Sequence, residues 1–78
     1  MREKKLYLII TFHTTAAAIA MERLCRDKGL PGRLIPVPRE LTADCGMAWR
    51  AGVEEKPALE AMVEQEKLEA AGFYEVMI

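Results

Sequence analysis

Apolar residues follow two different spacings along the chain, and together these spacings predict four strands and two helices. The segment from Leu6 to Phe12 is apolar at both odd and even positions, which is typical of a strand covered on both faces. Shorter segments with strand-like composition follow at 33–37, 47–51 and 73–78. The first strand is therefore expected at the centre of a sheet.

Two segments instead show apolar residues at every third or fourth position, as on one side of a helix. Thr14 or Thr15 is suited to cap the first helix, and Gly29 to end it in a left-handed conformation. Pro57 fits the first turn of the second helix, and Gly72 is expected to stop it. The predicted stripes are Ala17, Ala20, Met21, Leu24 and Lys28 in the first helix, and Leu59, Met62, Val63 and Ala70 in the second.

The element order β-α-β-β-α-β is that of the ferredoxin-like split βαβ sandwich, an α+β fold. We expect a four-stranded antiparallel sheet of order 4-1-3-2 with both helices on one face, and a single domain over residues 1–78. Pro36 and Pro38 have no backbone N–H, which assigns the second strand to an edge of the sheet.

Composition and charge exclude several classes of function. The chain has 78 residues, of which 51% are hydrophobic and 29% charged, with a net charge of −1. It lacks the basic excess of a nucleic-acid or membrane-surface binder and the roughly 20 apolar residues of a membrane helix. Its two cysteines fit neither a disulfide scaffold nor a zinc site. We expect a soluble, cytoplasmic protein with no metal and no cofactor.

Cys45 is the candidate for chemistry, because it lies in a predicted loop outside any apolar pattern. In the predicted topology this loop and the end of the first strand share one end of the sheet. His13, Thr14 and Thr15 are therefore expected near Cys45.

A cysteine reacts as its thiolate, which is stabilised by a helix N-terminus, a cation or an imidazolium. Here the start of the first helix, Arg39 and His13 would supply these three, and Gly46 would let a bound anion or a partner thiol approach closely. Asp44 acts in the opposite direction, because a neighbouring carboxylate disfavours a thiolate.

Purely structural roles for the same residues stay open. Cys45 can be a small turn residue, His13 can bond the backbone at a strand-to-helix junction, and the two threonines can serve only as caps. Cys25 lies about 15 Å along the helix axis from the loop, so we expect a partly buried packing residue and no disulfide with Cys45.

The two helices can cover only one face of the predicted sheet. Tyr7, Ile9 and part of the third strand would then form an exposed apolar patch on the other face. Such a patch predicts a homodimer that pairs through the open faces of two sheets.

Three segments, 7–17, 29–39 and 44–48, resemble a family of small bacterial selenium/sulfur carrier-like proteins, and the likeness continues to 72–75. The resemblance implies that Cys45 accepts sulfur or selenium as a persulfide or selenosulfide and passes it to a partner. The leading hypothesis is therefore a carrier rather than a stand-alone enzyme, which acts with a donor such as a cysteine desulfurase-like enzyme and with an acceptor protein. His13 would then serve in proton transfer.

The alternative is a non-catalytic module of the same fold that binds a small ligand or another protein, because a fold does not dictate a function. RNA binding is a third hypothesis with less support. The basic residues Arg26, Lys28, Arg33 and Arg50 form no compact cluster in the sequence.

Overall fold

The computed structural model describes residues 3–41 and 45–78. The elements follow the predicted order: β1 (Leu6–Thr11), α1 (Thr15–Lys28), β2 (Arg33–Pro36), β3 (Met47–Gly52), α2 (Lys56–Gln65) and β4 (Gly72–Met77). A single 3₁₀ turn, Val53–Glu55, leads from β3 into α2.

The four strands form one sheet of order β2-β3-β1-β4, in which every adjacent pair is antiparallel. This is the predicted order 4-1-3-2 viewed from the other side. The backbone N–H of Val37 donates to the carbonyl of Gly46 at 3.0 Å, so alternate residues of β2 bond to β3. Pro36 alternates with the residues that bond β3, so its backbone faces the free edge of the sheet. Its missing N–H therefore breaks no hydrogen bond of the sheet.

Helix α1 begins and ends as its sequence predicts, but its buried side is rotated. Thr14 is the N-cap, and its Oγ1 accepts a hydrogen bond from the Ala17 N–H at 3.1 Å. Gly29 closes the helix with φ of +71°. Met21 is fully buried as predicted, and Ala17 and Leu24 pack half-buried against the core, while the other fully buried residues, Ala18 and Cys25, follow them by one position. Lys28, predicted on that stripe, is instead exposed and pairs with Glu66 at 3.2 Å.

Helix α2 is shorter than predicted, because it ends at Gln65 and not at Gly72. The Leu68 N–H donates to the Val63 carbonyl and the Lys67 N–H to the Glu64 carbonyl, which is the Schellman pattern of a helix end. Lys67 takes the left-handed conformation, with φ of +54°. Leu68 and Ala70 therefore reach the core from the loop before β4.

The main core lies between the sheet and the helices. Its buried members are Leu8, Ile10, Phe12, Ala18, Met21, Cys25, Trp49, Ala51, Leu59 and Met62. The Trp49 indole packs directly over Gly32. Within the described part of the chain, Trp49 Nε1 is a buried donor without a hydrogen-bond partner.

The opposite face of the sheet is less open than the sequence predicts. Ile9 and Ala48 are fully buried there, and Leu41 from the loop after β2 packs against them. Tyr7 is half-buried beneath the Arg50 guanidinium, which lies 4.6 Å from the ring centroid. The prediction of an exposed patch built on Ile9 is therefore wrong, because the chain's own loop and an arginine cover this face.

Candidate functional site

One end of the sheet brings together three segments that are far apart in the sequence. The register of β1 and β3 sets Thr11 opposite Ala48, so the chain leaves β1 beside the start of β3. The N-terminus of α1 follows within a few residues, and the Ala71 N–H donates to the Thr11 carbonyl from the loop before β4. The exit of β1 and the loop before β3 thus share an end of the sheet, as the element order predicts.

Cys45 lies in the turn immediately before β3, and its side chain is half-buried against the edge of the main core. Its Sγ lies 3.3 Å from the carbonyl oxygen of Met47, to which the thiol can donate. The Met47 N–H in turn donates to Sγ across 3.4 Å. Both backbone groups of one residue therefore hold the sulfur at a fixed position.

The side of β3 on which the sulfur lies follows from the hydrogen-bond pattern of the sheet. Gly46 bonds to Val37 of the β2 segment, so the next residue, Met47, directs its N–H and carbonyl away from β2 and toward β1. The ladder between β1 and β3 ends at Thr11, however. The Cys45 sulfur, which bonds both of these Met47 groups, therefore lies on the side of β3 where Phe12 and His13 leave the sheet.

Gly46 makes one side of this turn open. It adopts φ of +75°, a conformation that favours glycine, and it is exposed. A Cβ built on it would have no neighbour within 4 Å among residues 3–41 and 45–78. A bulky molecule can therefore approach the backbone next to Cys45 without meeting a side chain of Gly46.

The remaining predicted site residues lie on the surface. His13 and Thr15 are exposed on either side of the cap residue Thr14, whose hydroxyl oxygen is occupied by the Ala17 N–H. Arg39 is exposed in the turn that follows β2, where the Leu41 N–H bonds the Pro38 carbonyl. Asp44, predicted to oppose thiolate formation, lies outside the described residues.

Met47, the residue that bonds the Cys45 sulfur, is not among the residues predicted for the site. The predicted partners are charged or dipolar, whereas the sulfur bonds an ordinary peptide group two positions later in the chain. The available signal was a small polar side chain followed by glycine at the start of a strand. Such side chains commonly bond the backbone two residues onward in turns.

Cys25, unlike the half-buried Cys45, lies inside the main core. Its side chain is fully buried, and the desolvation that accompanies burial raises its pKa from 9.0 to about 11. The buried thiol therefore stays protonated at neutral pH. Its role is packing, as predicted, although its burial is complete rather than partial.

We expect the Cys25 thiol to make the fold sensitive to alkaline pH. Below pH 9 the thiol is protonated in the folded and the unfolded chain, so its stabilising contribution is fully present. Between about pH 9 and 11 only the unfolded chain ionises, so the free energy of unfolding falls, by up to about 1.4 kcal/mol per pH unit. Urea titrations of the wild type and Cys25→Ala across this range measure the effect.

The Cys25→Ala variant is the control, because lysines and tyrosines also titrate in this range and do so in both proteins. The stability advantage of the wild type over the variant should shrink as the pH rises. Parallel pH profiles for the two proteins would contradict the prediction.

Two kinds of feature are missing from residues 3–41 and 45–78. They contain no group of three or more His, Cys, Asp or Glu side chains arranged to hold a metal ion. None of their helices is both long and apolar enough to cross a membrane.

Comparison with known proteins identifies the family. Searches of the curated proteins and of the solved structures give no match. A family model described as "Putative Se/S carrier protein-like" matches residues 7–75, which is most of the chain and includes both cysteines. The chain therefore belongs to the Se/S carrier protein-like family.

Proposed function

We propose that this protein is a small thiol-based carrier that accepts sulfur or selenium on Cys45 and passes it to a partner protein. The observation that carries the proposal is the position of the Cys45 sulfur, half-buried at an open turn and held by the backbone of Met47. The family description points to the same chemistry. The other cysteine, Cys25, is fully buried with a raised pKa, so it is a poor acceptor.

The loading step is a thiol exchange in which atoms and electrons balance. The Cys45 thiolate attacks the terminal sulfur of a donor persulfide, a new S–S bond forms, and the donor's S–S bond breaks. The donor leaves as a thiolate and takes up the proton that Cys45 has lost. Selenium is loaded in the same way when the donor carries it as the terminal atom, and Cys45 then holds a selenosulfide.

The backbone of Met47 would affect the loaded and unloaded states differently. Its N–H can donate to Sγ whether the sulfur is a thiol, a thiolate or part of a persulfide. Its carbonyl, by contrast, accepts only from a protonated thiol, so ionisation removes that bond. Loss of this hydrogen bond would allow the sulfur to turn outward past Gly46, toward a donor or acceptor.

The residues that surround the turn would support the transfer in different ways. His13, exposed where β1 ends, is the candidate for moving the proton between the thiol and the donor. Thr14 would fix the start of α1, since its hydroxyl oxygen is engaged in the cap. Exposed Thr15 and Arg39 would contact the partner or the anionic sulfur. The donor would be a cysteine desulfurase-like enzyme, and a separate protein would be the acceptor.

We expect a Cys45-dependent adduct when the protein meets a sulfur or selenium donor. The full chain is incubated with glutathione persulfide, or with selenodiglutathione and reductant in a parallel reaction, and its intact mass is measured. The wild type should gain one sulfur or selenium atom, and Cys45→Ser should gain none. Cys25→Ala is the matched control and should load like the wild type, because the buried thiol takes no part.

Any free thiol reacts slowly with a persulfide, so the rate decides the question. Folded Cys25→Ala should load faster than the same variant in urea, where the Met47 contacts are lost and Cys45 is the one thiol left. Equal rates, or an adduct on Cys25 of the folded wild type, would defeat the proposal.

The alternative function is a binding module without covalent chemistry. The Met47 carbonyl favours it, because it lies 3.3 Å from Sγ and can hold the thiol in a backbone hydrogen bond. A module of this kind would show slow alkylation of Cys45 and unchanged partner binding in Cys45→Ser. A carrier would lose transfer to the acceptor in that variant.

A further inference from the structure

The two edges of the sheet differ in their ability to pair with another strand. In β2 the residues whose backbone bonds β3 alternate with Leu34 and Pro36, whose backbone groups point toward the free edge. Since Pro36 has no N–H, that edge offers a broken row of donors. This edge is therefore blunted against pairing.

The edge formed by β4 is intact. The Ile78 N–H donates to the Lys5 carbonyl at 2.9 Å, which shows that the even-numbered residues at this end of β4 bond toward β1. Phe73, Glu75 and Met77 then direct their N–H and carbonyl groups outward. The strand contains no proline and a single charged residue, Glu75. Nothing in its sequence blunts it as Pro36 blunts β2.

Two exposed apolar side chains lie on β4 itself, Tyr74 on one face of the sheet and Met77 on the other. Among the described residues the exposed large hydrophobics are Leu6, Ile19, Tyr74 and Met77. Two of them belong to β4, and Leu6 lies directly opposite Met77 in the ladder. Tyr74, which is 43% exposed, lies with its ring over Gly72, where an added Cβ would be 2.7 Å from the hydroxyl. Because Gly72 has no side chain, the Tyr74 ring has room to lie against the sheet surface at this position.

We propose that the protein forms a homodimer in which β4 pairs antiparallel with β4 of a second copy, making one continuous eight-stranded sheet. A row of outward N–H and carbonyl groups is complementary to another extended strand. The second copy fits because antiparallel pairing of identical strands has two-fold symmetry and occupies both intact edges. The blunted β2 edges then end the assembly, so it closes as a dimer. This proposal is independent of the sulfur chemistry of Cys45.

The side chains of β4 select where the two-fold axis passes. An axis at Glu75 would set the two Glu75 carboxylates directly opposite each other, which is unfavourable. An axis at Val76 would gain little burial, since that side chain is already only 8% exposed. An axis at Tyr74 opposes the two tyrosine rings as a close, non-hydrogen-bonded pair and buries an exposed aromatic surface on each copy. The dimer is therefore centred on Tyr74.

Crosslinking tests this geometry. Residues opposed in a non-hydrogen-bonded pair have Cα atoms about 4.5 Å apart, within the range of a disulfide. In a Cys45→Ser background, with Cys25 buried, Tyr74→Cys should give a covalent dimer rapidly when diamide is added as the oxidant. Ile19→Cys, at a similarly exposed position on α1, is the matched control and should crosslink only at the rate of random collision. Equal rates for the two variants would overturn the proposal.

The mass in solution gives a second test that does not depend on crosslinking. Light scattering of the wild type should show the dimer at high micromolar concentration. Glu75→Pro removes one outward N–H and should shift the protein to monomer, while Glu75→Ala keeps that N–H and should remain a dimer. A monomeric wild type, or a folded Glu75→Pro protein that stays dimeric, would overturn the proposal. If Glu75→Pro proves unfolded by circular dichroism, the crosslinking rates decide alone.

Discussion

Replacing Gly32 by alanine is expected to remove a large part of the stability of this protein. A Cβ at this position would overlap the Trp49 indole and lie 2.7 Å from the Arg50 carbonyl oxygen, and neither the buried ring nor the strand can move away cheaply. Gly32 also has φ of +134°, which L side chains rarely adopt. Overpacking costs about 1–3 kcal/mol and the backbone strain about 1–2 kcal/mol more. The total compares with a stability of about 4–12 kcal/mol for a domain of this length.

Chemical denaturation of the variant measures this loss, and Gly29→Ala is its control. Gly29 also has a positive φ, of +71°, but an added Cβ there meets nothing within 4 Å in the part of the chain that the structure describes. Its replacement should therefore cost only about 1 kcal/mol, the conformational penalty alone. If the two variants lose equal stability, the packing of Gly32 against Trp49 has no energetic importance.

Phe12→Ala is expected to have an effect of similar or greater size, about 3–5 kcal/mol of lost stability. Phe12 is among the largest fully buried side chains, and it belongs to the same core cluster on which Cys45 packs. Its removal leaves a cavity at the end of β1, beneath the site. We expect Cys45 to be alkylated more slowly in this variant, because the turn that holds its sulfur against the Met47 backbone loses its support.

Leu6→Ala provides the comparison within the same strand. Leu6 is on the same side of β1, but it is 43% exposed at the other end of the strand. Its truncation should cost less than about 1 kcal/mol and leave Cys45 alkylation unchanged. A Leu6→Ala cost as large as that of Phe12→Ala would show that burial in this core does not determine stability.

The fold was predictable because local signals agreed with one topology. The sequence predicted a central β1 that is apolar on both faces, the caps Thr14 and Gly29, and an edge position for Pro36. The structure confirms all three. The end of α2 could not be predicted, because Lys67 adopts the left-handed conformation that is usually taken by glycine at a helix end. The first glycine after the helix, Gly72, instead begins β4.

The site was predictable in its location but not in its bonding. Topology alone placed Cys45 at the end of the sheet where β1 ends. That its sulfur bonds both backbone groups of Met47 depends on the left-handed turn at Gly46 and on where the β1–β3 ladder stops. These details vary by a single residue, and the hydrophobic pattern does not determine boundaries so finely. The burial of Ile9 was missed for a related reason, because Leu41 reaches it from a loop whose path has no sequence periodicity.

Trp49 is the chain's single tryptophan, and its ring is almost completely shielded from solvent. Its fluorescence should therefore be emitted at short wavelength from the native protein and shift to the red on unfolding, so that optical spectroscopy follows the core without any added label. Because the indole N–H has no acceptor among the described residues, its proton resonance should also stand apart in an NMR spectrum and sense small adjustments at Gly32.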